Sequence, residues 1–231
     1  MKPQDKKYLE FLDDFYAHLE TLPLTSVLDN PEKTAIISVD VTNAFCRTGN
    51  LASERVAGII NPIVDLFNGA WNLGLKNIIL LQDCHTSDAE EFDEFAEHAV
   101  CGSFESEAVD EIKSLPFYRE MKIIKKNSIN PSHNTLFGNW LHENPHITTF
   151  IVAGDCTDLC VYQTAMHLQT SANAFNIERR VIIPEICVNT YDISIKIAKE
   201  ASLEPHPADM LHKVFLHSMK LNGMEIFKKL V

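Results

Sequence analysis

Phe150-Ile-Val-Ala-Gly-Asp-Cys-Thr-Asp-Leu-Cys160 decides the fold. An apolar run, Phe150 to Ala153, ends in the turn Gly154-Asp-Cys-Thr-Asp158, and Cys160 opens a segment with helical spacing at Val161, Ala165 and Leu168. A strand, a tight turn and a helix make one half of a βαβ unit. A cysteine heading that helix is a candidate nucleophile. The helix amides and dipole favour a thiolate, and the same amides can hold a developing oxyanion. Cysteine is also among the most buried residue types, so position alone suits packing equally well. Its company has to decide.

Apolar strands and amphipathic helices alternate on either side of this stretch. Strands are predicted at 35–39, 77–81, 121–125, 148–153 and 180–183, and helices at 56–73, 136–143, 160–170, 194–201 and 207–219. The strand runs are continuously β-branched and apolar, as in strands buried on both faces. Alternation with helices points to a parallel sheet. The expectation is an α/β protein: a three-layer, Rossmann-like fold with a mainly parallel central sheet flanked by helices. Tyr8, Phe11, Leu12, Phe15 and Leu19 show helical spacing ahead of Pro23 and Pro31. Residues 1–33 therefore read as an N-terminal helical extension, packed on the domain or on a neighbouring subunit, and 34–231 as the main domain.

The 231 residues suit one large domain. A net charge of −12 argues against nucleic acid or an anionic membrane as partner. No apolar run approaches the ~18–20 residues of a membrane span, and the N-terminus lacks the apolar core of a signal peptide. Six cysteines are too sparse for a disulfide scaffold, so they are expected to be reduced, in a cytoplasmic protein. The terminal helices are plausible subunit contacts, and a homo-oligomer is the expectation.

In parallel sheets of this kind, ligands sit beyond the carboxyl ends of the strands. Those ends carry Asp40, then Asp83 and His85, then Lys125 and Lys126, then Asp155, Cys156 and Cys160. Carboxylates, an amine, an imidazole and a thiol thus gather at one edge. A thiolate attacks carbonyls, an acid can shuttle the thiol proton to a leaving amine, and a cation holds the charges together. Asp40 as base, Lys126 as electrostatic partner and Cys160 as nucleophile is the natural reading. Lys125 is the rival to Lys126, since its side chain would point to the opposite face. Asp83, His85 and His98 could supply three N/O ligands to a catalytic metal. By spacing alone they suit solvated loop positions at least as well, with His98 on an acidic helix over 88–97.

Together these motifs resemble the isochorismatase-like cysteine hydrolases. The likeness lies in Val39-Asp40-Val-Thr-Asn43-Ala-Phe45 with Gly49-Asn-Leu51, in Lys126-Asn-Ser-Ile-Asn130 before Thr135-Leu136, and in Gly154-Asp-Cys-Thr157-Asp158-Leu-Cys160-Val161 with Thr164-Ala165. Asp83-Cys-His85 and His98-Ala-Val-Cys-Gly102-Ser103 are similar to the metal site of the nicotinamidase branch. The resemblance covers about residues 34–202. It implies a catalytic triad of Asp40, Lys126 and Cys160, and an oxyanion hole from the amides of Cys156 and Cys160 beside a cis Asp155–Cys156 peptide. Asp83, His85 and His98 would hold a divalent metal, Zn2+ foremost, with Mn2+ or Fe2+ as alternatives. Phe45 and Phe95 would sandwich the substrate ring, although core packing would explain them equally well. The implied activity is hydrolysis of nicotinamide, or a related small aromatic amide, to the acid and ammonia through a cysteine thioester, as in NAD salvage.

Cys84 stands where the branch usually has tryptophan, Phe95-Ala-Glu97 and Asn130-Pro-Ser132 depart from the usual motifs, and Asp155 replaces a residue more often apolar. The chemistry is therefore better marked than the substrate. The alternatives are a metal-independent hydrolase of isochorismate-like or ureido compounds, and a catalytically idle binding protein of the same fold.

Overall fold

The computed structural model describes residues 2–231. Nine strands form, in chain order: β1 (Thr21–Leu22), β2 (Thr34–Val39), β3 (Asn77–Asp83), β4 (Lys122–Lys126), β5 (Thr149–Asp155), β6 (Arg180–Pro184), β7 (Val188–Asn189), β8 (Glu225–Phe227) and β9 (Lys229–Leu230). Six longer helices accompany them: α1 (Pro3–Ala17), α2 (Ile60–Asn72), α3 (Phe137–Glu143), α4 (Cys160–Phe175), α5 (Ile195–Ala201) and α6 (Ala208–Leu221). Seven strands make one sheet in the order β4-β3-β2-β5-β6-β8, with β7 beside β5, and every pairing in it is parallel. β1 and β9 pair separately and tie the N-terminal region to the C-terminus.

Alternation along the buried strands divides the core in two. Ile36, Ile78, Leu80, Ile151 and Ala153 face Ile60, Ile63 and Phe67 of α2. Ile37, Val39, Ile79, Leu81 and Val152 face Phe137 and Trp140 of α3, Val161, Ala165 and Leu168 of α4, and Leu216 and Met219 of α6. The three layers expected from the strand runs are therefore present. β4 lies at the sheet edge, so its run is not uniformly buried: Lys125 is exposed while Lys126 is enclosed. Of the two lysines, Lys126 is thus the one turned into the protein.

The chain reverses its direction across the sheet between β2 and β5: β3 and β4 lie to one side of β2, and β5, β6 and β8 to the other. This is the point at which parallel sheets bind ligands. The backbones meet there at Gly154, opposite Val39 in the register. Gly154 has φ +121°, and a Cβ on it would lie 1.9 Å from the Val39 carbonyl oxygen. Glycine is therefore obligatory, because both the backbone angle and the space exclude a side chain.

Several elements differ from the sequence reading in detail. The helix expected over 56–73 breaks at Gly58 into Glu54–Ala57 and α2. The short strands β1, β7, β8 and β9 carry too little periodicity to be read. α1 packs on α6 of the same chain: the Tyr8 hydroxyl pairs with His217 Nδ1 at 2.8 Å, and Lys213 donates to Asp13 at 2.6 Å. Tyr16 of α1 donates to Glu185, which also pairs with His212 and Lys228. Burial alone would raise the Glu185 pKa, but these partners outweigh it and bring it to about 2. Among the described residues, no helix is long and apolar enough to cross a membrane.

Gly154→Ala is expected to cost at least ~3 kcal/mol, since the clash is with backbone that cannot move aside. Chemical denaturation of the variant against the native protein checks this; a loss below ~1 kcal/mol would contradict it.

Candidate active site

Four strand ends converge at the β2/β5 crossing. Asp40 follows β2 with φ +54°, a conformation rare for a residue with a side chain and found where surroundings enforce it. Its amide donates to the Leu81 carbonyl at 2.9 Å, and its Oδ1 accepts from the Asp83 amide at 2.8 Å. The carboxylate is thereby fixed across the ends of β2 and β3. Lys126 ends β4 opposite Asp83 in register. Its Nζ lies 2.7 Å from Asp40 Oδ2, 2.5 Å from Asp83 Oδ1 and 3.5 Å from Cys160 Sγ. Ligand atoms of Asp40, Asp83 and Cys160 all lie within 4.8 Å of one another. Residues 40, 126 and 160, distant in sequence, thus share one buried cluster.

The electrostatics follow from burial. Lys126 would lose its proton readily if only desolvated, but the two carboxylates outweigh that and hold its pKa well above the ordinary lysine value. Asp83 would be raised by burial, yet Lys126, His85 and His98 bring it below the carboxylate range. Asp40 is pushed up to about 6, by burial first and by Asp83 second, against the lowering effect of Lys126 and of a hydrogen bond from Cys160. It is thus the carboxylate better able to accept a proton. Cys160 itself is raised well above the usual thiol value, by burial and then by the two carboxylates, with Lys126 opposing. Burial thus opposes the thiolate that the helix terminus and Lys126 favour.

The nucleophile turn matches the resemblance in its backbone. The Asp155–Cys156 peptide is cis. The amides of Leu159 and Val161 donate to the Cys156 carbonyl at 3.0 and 3.1 Å, folding the chain about Cys156. Cys160 is the first residue of α4, where N–H groups lack helical acceptors and point outward.

Asp83, His85 and His98 also come together, their ligand atoms lying within 4.8 Å of one another. Each histidine has its outer nitrogen engaged: His85 Nδ1 with Asn127 Oδ1 at 3.0 Å, and His98 Nδ1 with the Ala96 carbonyl at 2.8 Å. Both Nε2 atoms are left to face Asp83, at 3.5 Å for His85 and 3.9 Å for His98. His85 Nε2 is buried with no hydrogen-bond partner. Oriented imidazoles with one nitrogen free, beside a carboxylate, are the donor set of a divalent cation site. The residues fit the metal. His98 is enclosed rather than set on a solvated acidic helix, and 88–97 forms only a short turn at Glu90–Asp93.

The cysteine expectation also needs correction. Cys84 and Cys101 form a disulfide, while Cys46, Cys156, Cys160 and Cys187 are free. The cause is local pairing: the His85 amide donates to Ala99, the Cys101 amide donates to His85, and a parallel bridge joins His85 to Val100. This brings the two Cα atoms to 4.4 Å. The link joins the segments that carry His85 and His98.

One small cavity, about 30 Å3, touches both clusters through Asp83, His98 and Cys160. Phe45 and Phe95 line it, together with Asp83, His98, Cys156 and Cys160. Phe45 stands edge-on to His98, with centroids 5.4 Å apart. Sequence reasoning missed Phe92, which packs against both His85 and His98, and the wall residues Glu91 and Tyr191; Asp155, gathered with the strand ends in the sequence, also lines the wall. Glu91, Phe92 and Tyr191 lie in irregular segments where no periodicity marks them. His206 was missed as well. Its ring stacks on Tyr191 at 3.9 Å, its Nδ1 donates to the Tyr191 carbonyl at 2.8 Å, and its Nε2 meets Asp158 Oδ2 at 2.8 Å. The wall residue Tyr191 is thereby clamped to the nucleophile turn.

A thiol, a carboxylate and an ammonium thus stand in contact at the edge of a parallel α/β sheet. The family model of the isochorismatase domain matches residues 34–204, and the chain belongs to that family. It is similar to Nicotinamidase 1 of Arabidopsis thaliana, with 25% identity over 221 residues, 88% of this chain and 89% of that protein. A nicotinamidase structure from Bacillus subtilis superposes with a TM-score of 0.66 at 22% identity, over 84% of this chain and 99% of that one. A pyrazinamidase of Pyrococcus horikoshii in complex with zinc gives 0.65 at 20%, over 85% and 99%. N-carbamoylsarcosine amidase from Thermoplasma acidophilum gives 0.64 at 21%, over 85% and 96%.

The Asp158–His206 clamp has a pH signature. Burial disfavours both charges, but the pair outweighs it, lowering Asp158 and raising His206. The Asp158 contribution is present above its unfolded pKa of ~3.9 and fades as pH falls through the depressed folded value. The His206 contribution is complete below ~6.5 and fades as pH rises through the raised folded value. His206→Ala should therefore lose the most stability, about 1.5–3 kcal/mol, between roughly pH 4 and 6.5, and less at pH 9. Denaturation curves across that range check it, and a pH-independent loss would contradict it.

Proposed function

We propose that this protein hydrolyses a small aromatic amide of the nicotinamide type to its acid and ammonia, through a thioester on Cys160. One observation carries the reading: Lys126 Nζ is held between Asp40 and Asp83 and beside Cys160 Sγ, and Cys160 and Asp83 line one cavity together with His98. Nicotinamidase 1 from Arabidopsis thaliana, similar over most of the chain, supports the substrate class.

The proposed roles follow from the geometry. The substrate carbonyl lies against the amides of Cys156 and Cys160, its ring between Phe45 and Phe95. Asp40 accepts the thiol proton as Sγ attacks the carbonyl carbon. The resulting oxyanion is held by the two amides, a contribution worth ~10²–10³ in rate per donor. Asp40 then gives its proton to the departing nitrogen, ammonia leaves, and the thioester remains. Asp40 next deprotonates a water, which attacks the thioester, and Cys160 regains its proton as the acid departs. Lys126 stays protonated throughout and offsets the charge passing between Asp40 and Cys160.

Asp83, His85 and His98 would hold a divalent metal, with Zn2+ the favoured ion. Bound there, it would supply Lewis-acid chemistry and a fixed positive charge. Asn127 orients His85, and partners of that kind are typically worth 10–100-fold in metal affinity.

Two outcomes test the reading. Cys160→Ala should release ammonia from nicotinamide or pyrazinamide at least ~10³-fold more slowly than the native protein, with its fold intact by circular dichroism. A rate near native would remove the thioester pathway. Asn127→Ala should bind zinc about 10–100-fold more weakly in competition with a chromogenic chelator; unchanged affinity would overturn the metal assignment.

A further inference from the structure

We infer that Asp155 is a specificity residue, accepting a hydrogen bond from a second N–H group on the substrate, so that the preferred substrate is an amide bearing an amino, lactam or ureido N–H besides the bond that is cut. The inference rests on the amidase reading above and deepens it. β5 is buried throughout and apolar from Phe150 to Ala153, yet it ends in a carboxyl with no solvent exposure. Asp155 lines the cavity that holds Cys160, Phe45 and Tyr191. Its Oδ1 receives only a long contact from the Cys156 thiol, 3.8 Å, and its Oδ2 is buried with no partner at all. Leaving such a group unpaired costs ~1–3 kcal/mol, and nothing in the protein satisfies it. A ligand N–H in the cavity would.

The site does not depend on the charge of Asp155, because a carboxyl oxygen accepts from N–H whether or not the group is ionised. Burial, then the Asp40 and Asp83 charges, push its pKa well above the usual range, so the group is favoured in its uncharged form. Asp155 makes no contact with Lys126 comparable to those of Asp40 and Asp83, so it is not a further base of the triad. Discrimination is the work such a group does best. A site with a buried hydrogen-bonding group rejects the analogue that cannot pair with it far more strongly than an apolar site rejects a small excess of volume.

The test compares nicotinamide with the isomeric ring-amino nicotinamides on native protein and on Asp155→Val and Asp155→Asn, all loaded with zinc. Two readouts are taken: kcat/KM from ammonia release, and calorimetric Kd on the same proteins carrying Cys160→Ala. Native protein should prefer at least one amino isomer by about tenfold or more. Asp155→Val should erase or invert that ratio, and Asp155→Asn, which keeps an acceptor oxygen, should retain most of it. A merely structural role would lower every substrate alike and leave the ratio unmoved. Equal preference in native protein, or a ratio untouched in a folded Asp155→Val, overturns the inference. Binding with the predicted ratio but no ammonia from any isomer would overturn the amidase reading and leave the specificity role supported. Failure of every isomer to bind counts against both.

Discussion

The Lys126 ammonium, enclosed between Asp40 and Asp83, is the constraint on which the site depends. Three strands end on it: β2 through Asp40, β3 through Asp83 and β4 through its own last residue. Two carboxylates this close would repel, and one would hold a proton, were no cation shared between them. With Lys126 present the two separate in character. Asp83 is held below the usual carboxylate range, and Asp40 rises to about 6, which suits the proposed roles of metal ligand and proton carrier. Removing the cation would strand buried negative charge, a far larger penalty than the pair's net contribution to stability. In the proposed reaction the Cys160 thiol need not be ionised in advance: its proton has a carboxylate at hand and its product anion has a cation 3.5 Å away.

Backbone geometry delivers the thiol to that cluster. Without a side chain at position 154, β5 approaches β2 closely enough to set the nucleophile turn over Asp40. The turn is then held from behind by side chains distant in sequence. Thr157 pairs with His212 Nδ1 at 2.8 Å, and His212 reaches Glu185, on which Tyr16 and Lys228 also converge. The N-terminal helix is thus connected by side chains to the turn that carries Cys160.

Much of this was legible in the sequence, for identifiable reasons. The parallel sheet showed itself because β2, β3 and β5 are buried on both faces and read as unbroken apolar runs. The polar residues ending those runs, Asp40, Asp83, Lys126 and Cys160, stood out against them, and the rule that ligands lie beyond strand ends gathered them correctly. Asp83, His85 and His98 were ambiguous by spacing alone; what joins them is a backbone bridge between His85 and Val100 that leaves no periodic trace. The same bridge pairs Cys84 with Cys101, which a sparse cysteine count gave no reason to expect. Phe92, Tyr191 and His206 belong to irregular segments, where tertiary contacts alone decide which side chains turn inward. The helix terminus that favours a thiolate at Cys160 is visible in sequence, while the depth of burial that opposes it is not.

The central claim is that Cys160, Asp40 and Lys126 act on one carbonyl held by the Cys156 and Cys160 amides. The most direct measurement is a crystal structure of the zinc-loaded protein with the aldehyde analogue of nicotinamide. The account predicts a covalent bond from Cys160 Sγ to the aldehyde carbon, with the former carbonyl oxygen within hydrogen-bond reach of both amides and the ring between Phe45 and Phe95. An aldehyde bound away from Cys160, or bonded to it with its oxygen turned from those amides, would contradict it.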